Sequence, residues 1–267
     1  MSGYVPTLES MPGVWESVEA QQETAHAGPV RSTWIQGPSL FVLLRQTDAA
    51  RTLHSTEGLA ALRHCEQRLL SRQDGMAGTV RRRGDGFAWD PWAAFQPQPD
   101  EPRSALLHYE QGSLVRTFAD AGARQEFWDL LEHGDGTAAG ARLLDPEDNC
   151  TGLLVRSGSW FGYVRCRGRA LSGSASLAER MDAEDSADGD ASALLDCEVS
   201  VGRVHGKLWM IESSTLPQRK GAVLQPRFDD VTSRLTVRDL VGPGGRRQRR
   251  NWYAKELEGP AALLSAA

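Results

Sequence analysis

The stretch STWIQGPSLFVLLRQTD, residues 32–48, decides how the rest of the chain is read. A tryptophan and a glutamine precede Gly37-Pro38, and the apolar run Leu40–Leu44 leads straight into Arg45. Five apolar residues in a row beside a Gly-Pro pair fit a core strand better than a helix. Because proline cannot donate to a central ladder, residues 31–36 and 39–45 read as one strand kinked at Gly37-Pro38. Alternation then puts Trp34 and Gln36 on one face and Arg45 on the other, unless the kink shifts the register by one. Whether a permanent cation shares a cavity with an indole and an amide depends on that kink.

Outward from this strand, the clearest periodic segment runs from about 56 to 71. Leu59, Leu62, Cys65, Leu69 and Leu70 recur at helical spacing, with Ser55 or Thr56 as cap and Gly75 beyond the end. After it, β signals dominate. MAGTVRR and GFAWDPWAAF flank Gly84-Asp85-Gly86, while SALLHYE and SLVRTFA flank Gln111-Gly112. Residues 124–133 suit a strand or a short helix. The small-residue stretch 133–141 reads as the connection between two domains, 1–135 and 141–267. In the second, TGLLVRS and SWFGYVRCRGR pair through Ser157-Gly158, and LDCEVSVGRV and KLWMIESS through His205-Gly206. Residues 179–193 read as an acidic, solvated loop. The implied architecture is mainly β: two antiparallel barrels, with one helix packed on the first.

Composition narrows the function. The net charge of −5 offers no general attraction to nucleic acid or to an anionic membrane. No 18-residue uncharged apolar segment and no basic-then-apolar leader is visible, so a cytoplasmic location is expected. Four cysteines, Cys65, Cys150, Cys166 and Cys197, form no CxxC pair and are expected to be reduced. The chain lacks a P-loop, a GxGxxG after a strand, a GxSxG elbow and HExxH. No histidines stand at i, i+3 or i, i+4 spacing, so no metal site and no cofactor is expected. A lone histidine as haem ligand is a weaker alternative. Aligning Gly189 with the glycine of a calcium loop puts Leu195 where the bidentate carboxylate belongs, which excludes that motif. The clusters Arg81–Arg83 and Arg246–Arg250 lack interleaved aromatics and read as solvated turns.

Eight tryptophans are the more telling feature. Their plain role is to fill core volume; their functional role is to line a cavity for an apolar or aromatic molecule. Trp34, Trp89, Trp92, Phe95, Tyr109 and Trp128 are candidate lining residues, with Gln36 and Gln96 as amides. In SALLHYEQG, Leu106, His108 and Glu110 share one face, opposite Leu107 and Tyr109. Facing inward, His108 and Glu110 suit acid–base work; facing outward, they are wet surface. Glu126 and Trp128 share a face if their segment is extended.

Several of these pieces occur together in a recognisable order: TWIQGPSLFVLLR, DGMAGTV, FAWDPWAAFQP, YEQG followed by QEFW, and LWMIESSTLPQRKG. They resemble a largely uncharacterised bacterial family with WLQTPS…DLR, GFAG and STLPWREG motifs. That family is itself distantly similar to the fungal Hri-type proteins, which have two calycin-like (lipocalin-related) barrels. Matching positions include Trp34, Gln36, Arg45, Gly75, Gly78, Phe95, Gln96, Pro97, Glu110, Glu126, Trp128, Trp209 and Pro217. The family's aspartate two residues before the arginine is Leu43 here, its GFAG phenylalanine is Met76, and its WRE is Gln218-Arg219-Lys220. Arg45 therefore needs another partner, Glu110, Glu126 or a ligand anion. The resemblance implies two calycin-like barrels; the tryptophans point to a small apolar or aromatic ligand, and a homodimer is a further expectation. The expected function is cofactor-independent acid–base chemistry of the isomerase, cyclase or lyase type. Glu110 or Glu126 would act as acid or base, His108 would share protons, and Arg45 and Gln36 would hold an oxyanion. A carrier or sensor without turnover is the alternative.

Overall fold

The computed structural model describes residues 4–19, 29–55, 57–97, 103–118, 124–134, 136–147, 150–168, 171, 173, 175–184, 191–241 and 246–266. Strands β1 (Gly13–Glu19), β2 (Val30–Gln36), β3 (Leu40–Thr47), β4 (Asp74–Arg83), β5 (Gly86–Ala94), β6 (Arg103–Glu110), β7 (Ser113–Phe118) and β8 (Gln125–His133) form a closed antiparallel barrel. They follow chain order, and β8 returns to pair with β1. The second half repeats the meander with β9 (Ala138–Asp145), β10 (Cys150–Ser157), β11 (Trp160–Arg165), β12 (Glu198–His205), β13 (Leu208–Ser214), β14 (Arg227–Asp229), β15 (Arg234–Val241) and β16 (Arg246–Glu258). Here β16 returns to β9, and the sheet edges are β13 and β14. Residues 222–224 bridge that seam: Ile211 N–H donates to Ala222 O, Leu224 N–H to Trp209 O, and Arg238 N–H to Leu224 O. The protein is mainly β, with two curled eight-stranded units.

Residues 32–48 form a hairpin rather than one kinked strand. Antiparallel pairing sets Trp34 opposite Leu43, Gln36 opposite Phe41 and Ser32 opposite Arg45. A hairpin with this register inverts parity, so Trp34, Gln36 and Arg45 all face the barrel interior. Leu40, Val42 and Leu44 face out and are nonetheless buried. Strand β5 reads across Gly84-Asp85 and β7 across Gln111-Gly112 as the turn chemistry implies, and 125–133 is extended.

Three expectations need correction. The helix at 56–71 is a 3-10 turn at Leu59–Ala61 followed by α2 (His64–Leu70), after a short α1 (Asp48–Thr52). Arg63 restarts the helix from an extended backbone, its N–H and guanidinium both donating to Glu66. The acidic stretch 179–193 is not merely a solvated loop. It carries α3 (Leu177–Glu184) and α4 (Ala191–Leu195), whose Leu177, Met181 and Leu195 are buried with Leu59, Leu70, Phe95, Cys197 and Leu216. Positions 185–190, which held most of the calcium-loop comparison, lie outside the described residues. The inter-domain connection is also shorter than residues 133–141, since β9 begins at Ala138 and buries Ala139 and Ala141 in the second core.

The two halves are structural repeats. Trp34, Gln36, Phe41, Leu43 and Arg45 correspond, at one constant displacement, to Leu154, Arg156, Phe161, Tyr163 and Arg165 in the same register. Trp89 of β5 corresponds to Trp209 of β13 in the same way. Each half places its helices between its third and fourth strands. Each carries a β-bulge at a glycine, between Ala77 and Gly78 and between Val201 and Gly202. A Cβ at Gly78 would lie 2.1 Å from Asp90 O, and one at Gly202 2.1 Å from Met210 O, so the bulges need residues without side chains.

The repeats pack through their outer faces. Val14, Ile35, Leu40, Val42, Leu44, Ala77 and Ala93 of the first barrel meet Leu153, Val155, Trp160, Val164, Val199 and Val201 of the second. Two reciprocal clamps flank this apolar seam. Glu258 accepts from Ser39 N–H (2.9 Å), Ser39 Oγ–H and Leu40 N–H (2.7 Å) in the first hairpin turn. Glu132 accepts from the N–H and hydroxyl of Ser159 in the second. Each half thus caps the other's turn, which argues for one rigid unit rather than two beads on a linker.

Candidate functional site

The first barrel is closed at one end and charged at the other. At the closed end, the N-terminal segment carries Leu8 and Met11 onto the interior cluster; Tyr4 stacks on Tyr109, and Tyr4 O accepts from Tyr109 N–H. The middle is a tryptophan layer. Trp34 lies with ring centroids 6.2 Å from Trp15, 6.0 Å from Trp89 and 5.6 Å from Trp128, and all four are at most 1% exposed. Gln36 accepts from Trp34 Nε1 and donates to Gly37 O, which satisfies that indole without water. Above the tryptophans, towards the ends of β3 and β7 and the starts of β2 and β8, the inward positions are Ser17, Ser32, Arg45, Arg116 and Glu126.

Glu126 is the centre of this polar layer. Its Oε1 accepts from Arg45 and from Arg124, both at 2.8 Å. Its Oε2 accepts from Trp128 Nε1 at 3.3 Å and lies 3.7 Å from Arg116 Nη1. The Arg116 guanidinium sits over the rings of Trp89 (3.9 Å) and Phe118 (4.4 Å), and Arg124 lies over Phe118 at 4.9 Å. Arg45 is thus paired by a carboxylate from β8, in place of the neighbour that Leu43 does not supply. Burial opposes ionisation of Glu126, but the charges of Arg45, Arg116 and Arg124 and the Arg45 hydrogen bond outweigh it and hold the carboxyl below its usual range. Ser32, directly across from Arg45 and from Ser17, is fully buried, and its Oγ has no hydrogen-bond partner among the described residues.

Other expected site residues lie elsewhere. His108 and Glu110 point outward from β6, where their 3.7 Å contact is solvated and Glu110 is 54% exposed. Leu106 on the same face is itself exposed, so the inward residues of β6 are Ala105, Leu107 and Tyr109. Trp92 leaves the barrel after the Gly78 bulge and lies under Arg142 of the second half. Phe95 belongs to the helical cluster between the halves. Gln96 ties Ser71 O and Gln73 O to Leu177 N–H. These three join the halves. Tyr109 is interior but sits at the closed end, where burial, and then Tyr4, push its phenol up.

Arg116, Arg124 and Ser32 were not among the expected site residues. Arg116 carried a readable signal, since Leu114, Arg116 and Phe118 alternate as an inward set interrupted by a cation. In the second barrel the same layer holds a simpler arrangement. Arg250, two residues before Trp252 as Glu126 is before Trp128, pairs with Asp145. The positions of Ser32 and Arg116 are Gly152 and Val237 there. The buried thiols offer no nucleophile, because burial pushes Cys150 to about 11 and Cys166 to about 12.

No protein-family profile matches the chain, and no curated protein matches it in sequence. Among solved structures it is similar to an uncharacterised protein of Saccharomyces cerevisiae, with 10% identity, a TM-score of 0.46, and coverage of 92% of this chain and 99% of that one. No helix among the described residues is long and apolar enough to cross a membrane.

The state of Glu126 has a direct consequence for pH. With its folded pKa depressed, its stabilisation is complete above the ordinary carboxylate range of about 4.3 and is lost as pH falls through the folded value. Glu126→Gln mimics the protonated state. Its melting temperature is expected to lie below that of the wild type at pH 7, and the gap should close as pH falls below the ordinary carboxylate range and through the depressed folded value. A gap independent of pH, measured by calorimetry across that range, would show that Glu126 is not held ionised.

Proposed function

We propose that the charged end of the first barrel binds a small apolar or aromatic molecule and that the protein acts as a carrier or sensor. The observation carrying this reading is the asymmetry of the barrel interior. One end is plugged by the chain's own N-terminal segment, whereas the other ends in a floor of tryptophans topped by a charged layer with an orphaned serine hydroxyl. Burying that layer has a cost that packing alone does not recover. Turnover by acid–base chemistry needs a group that changes protonation near neutrality. Glu126 is held ionised by arginines, and His108 and Glu110 are outside, which favours binding over catalysis. The likeness to the WLQTPS-type bacterial family belongs to this reading. Its matched residues Trp34, Gln36, Arg45, Glu126 and Trp128 all converge inside one barrel.

Hydrogen exchange of the chain with and without aromatic and apolar test compounds examines this directly. Bound compounds should slow exchange in residues 30–33, 43–46, 114–118 and 124–128, and should be recovered chemically unchanged. Protection confined to the second barrel, or recovery of a converted product, would overturn the reading.

A further inference from the structure

The arginine run 246–250 is not a turn, because it opens β16, the long strand that returns to β9. Alternation sends Arg250 inward to Asp145 and Trp252 into the core, so Arg249, Asn251 and Tyr253 share the outward face. Pairing with β15 sets Arg238 across from Arg249, Thr236 across from Asn251 and Arg234 across from Tyr253. Strand β14 adds Arg227 beside Thr236. The result is three rows spaced about 7 Å along the strands. The first holds two opposed cations, and the second a Thr236 hydroxyl bonded to the Asn251 amide. In the third, Arg234 lies over the Tyr253 ring and donates to its hydroxyl. All of these side chains are exposed except Thr236, which is half-buried.

Like charges directly opposite each other across two strands repel. On other outward strand faces an arginine meets an acid, as Arg31 does with Glu16, Arg142 with Glu256 and Arg203 with Glu212. Arg227, Arg238 and Arg249 have no carboxylate partner among the described residues. The acid on this face, Asp229, sits across from Arg234 and is engaged by Val231 N–H, Thr232 N–H and the Thr232 hydroxyl. Asp230 is exposed in the adjoining turn, and beyond Tyr253 the charges of Lys255 and Glu256 cancel. The side chains of residues 239–248 lie outside the described ones, so this balance of four guanidiniums against Asp229 and Asp230 is that of the described side chains.

A polyanion fits such a face, and its chemistry narrows the choice. The cations are arginines, whose planar forks hold a phosphate through two hydrogen bonds. The Arg234–Tyr253 pair offers a base a flat surface, which a duplex has no free base to use. An acidic peptide would add to a sheet edge, but the β14 edge is taken, since Phe228 N–H donates to Ser265 Oγ and Ala266 N–H to Pro226 O. A bilayer finds no aliphatic side chain in the three rows, and exposed Val231 is a single residue in the turn beyond them.

We propose that the outward face of β14, β15 and β16 binds single-stranded nucleic acid, with Arg227, Arg238 and Arg249 on phosphates and a base stacked at the Arg234–Tyr253 pair. The net charge of −5 confines the attraction to this face and so to a short segment of strand. The surface is separate from the first-barrel site, and neither reading depends on the other. Fluorescence anisotropy of the full chain tests it with labelled oligouridylate and oligothymidylate dodecamers, a DNA duplex of the same length and polyglutamate. Co-sedimentation with phosphatidylserine vesicles supplies the membrane arm. Both single strands are expected to bind at least about tenfold more tightly than the duplex, with no measurable binding to polyglutamate or vesicles. Affinity should fall with salt at a log–log slope of about −2, as three phosphate contacts imply. Arg238→Glu should weaken binding at least about tenfold, yet leave the melting temperature at or above that of the wild type, because it sets an acid across from Arg249. Tyr253→Ala should weaken binding about tenfold without changing the salt slope. Absence of binding by either strand at about 50 mM salt, or affinity unchanged in both variants, would overturn the proposal. Tighter binding of polyglutamate or vesicles than of the strands would overturn the occupant in favour of an acidic protein or a membrane. Duplex binding equal to that of the strands would overturn the stacked base. Should Arg238→Glu fail to fold, Arg227→Glu on the neighbouring strand should give the same loss of binding, and its failure to do so would count against the face.

Discussion

Replacing Arg219 with methionine is expected to destabilise the protein by about 3–5 kcal/mol. Arg219 Nε donates to Glu198 Oε1 at 2.7 Å, and the two side chains are 2% and 0% exposed. The same oxygen accepts from Ser200 Oγ–H, Ser214 Oγ lies 2.8 Å from Ser200 Oγ, and Ser214 Oγ accepts from Leu216 N–H. The network sits where β13 leaves the second barrel and meets the first. Gln46 donates to Ser214 O, Gln73 to Thr215 O, and Lys220 to the carbonyls of Ala50, Arg51 and Leu53. Removing the guanidinium leaves a buried carboxylate without its charge partner, and protonating that carboxylate takes part of the folding free energy. The expected drop in melting temperature is roughly 10 °C for a chain of this size. The double variant Glu198→Leu with Arg219→Met should recover much of the loss, because an apolar pair of similar volume avoids desolvating both charges. Thermal unfolding of the wild type and the two variants checks this. A loss below about 1 kcal/mol for Arg219→Met would show that the pair is hydrated and the inter-barrel seam loose.

Trp34→Gly is expected to be similarly costly, at about 3–5 kcal/mol, for a different reason. Trp34 touches three other tryptophans in the barrel interior, so its removal opens a cavity that these large rings cannot collapse to fill. It also strips the amide of Gln36 of one partner. An apolar void of indole shape should stay dry and take up indole, raising the melting temperature of Trp34→Gly in a dose-dependent way and leaving the wild type unchanged. Absence of rescue, together with a loss under about 1 kcal/mol, would mean that Trp34 is not in the interior.

Much of the fold was legible because its signals are local. The turns at Gly84-Asp85-Gly86, Gln111-Gly112, Ser157-Gly158 and His205-Gly206 separate alternating runs, and each closes an antiparallel hairpin. The opening hairpin was misread for a local reason. Gly37-Pro38 reads equally well as a kink or as a turn, and only the pairing of Ser32 with Arg45 decides between them. The helices α3 and α4 were hidden by composition. Leu177 and Met181 stand at helical spacing, but the acids around them dominate a composition-based reading. The repeat lay in plain view as SLFVLLRQ and SWFGYVRC, yet the two segments share few identities and gain meaning only through identical register.

The site was partly legible for the same reason. Arg45, Glu126 and Trp128 follow from strand parity once the hairpin is known. His108 and Glu110 share a face as alternation requires, but a sequence does not say which face of a barrel strand is the inside. Exposed Leu106 makes their face the outer one despite its apolar member. Arg116 joins Glu126 through pairing across β7 and β8, a non-local relation that no single segment reveals, whereas Arg124 stands only two residues before Glu126.

The most direct test of the central claim is a crystal structure of the chain grown with an aromatic test compound. Density for the compound is expected beside the polar layer of the first barrel, with Glu126 still bonded to Arg45. A compound bound in the second half, or a Glu126 turned to solvent and separated from Arg45, would contradict it.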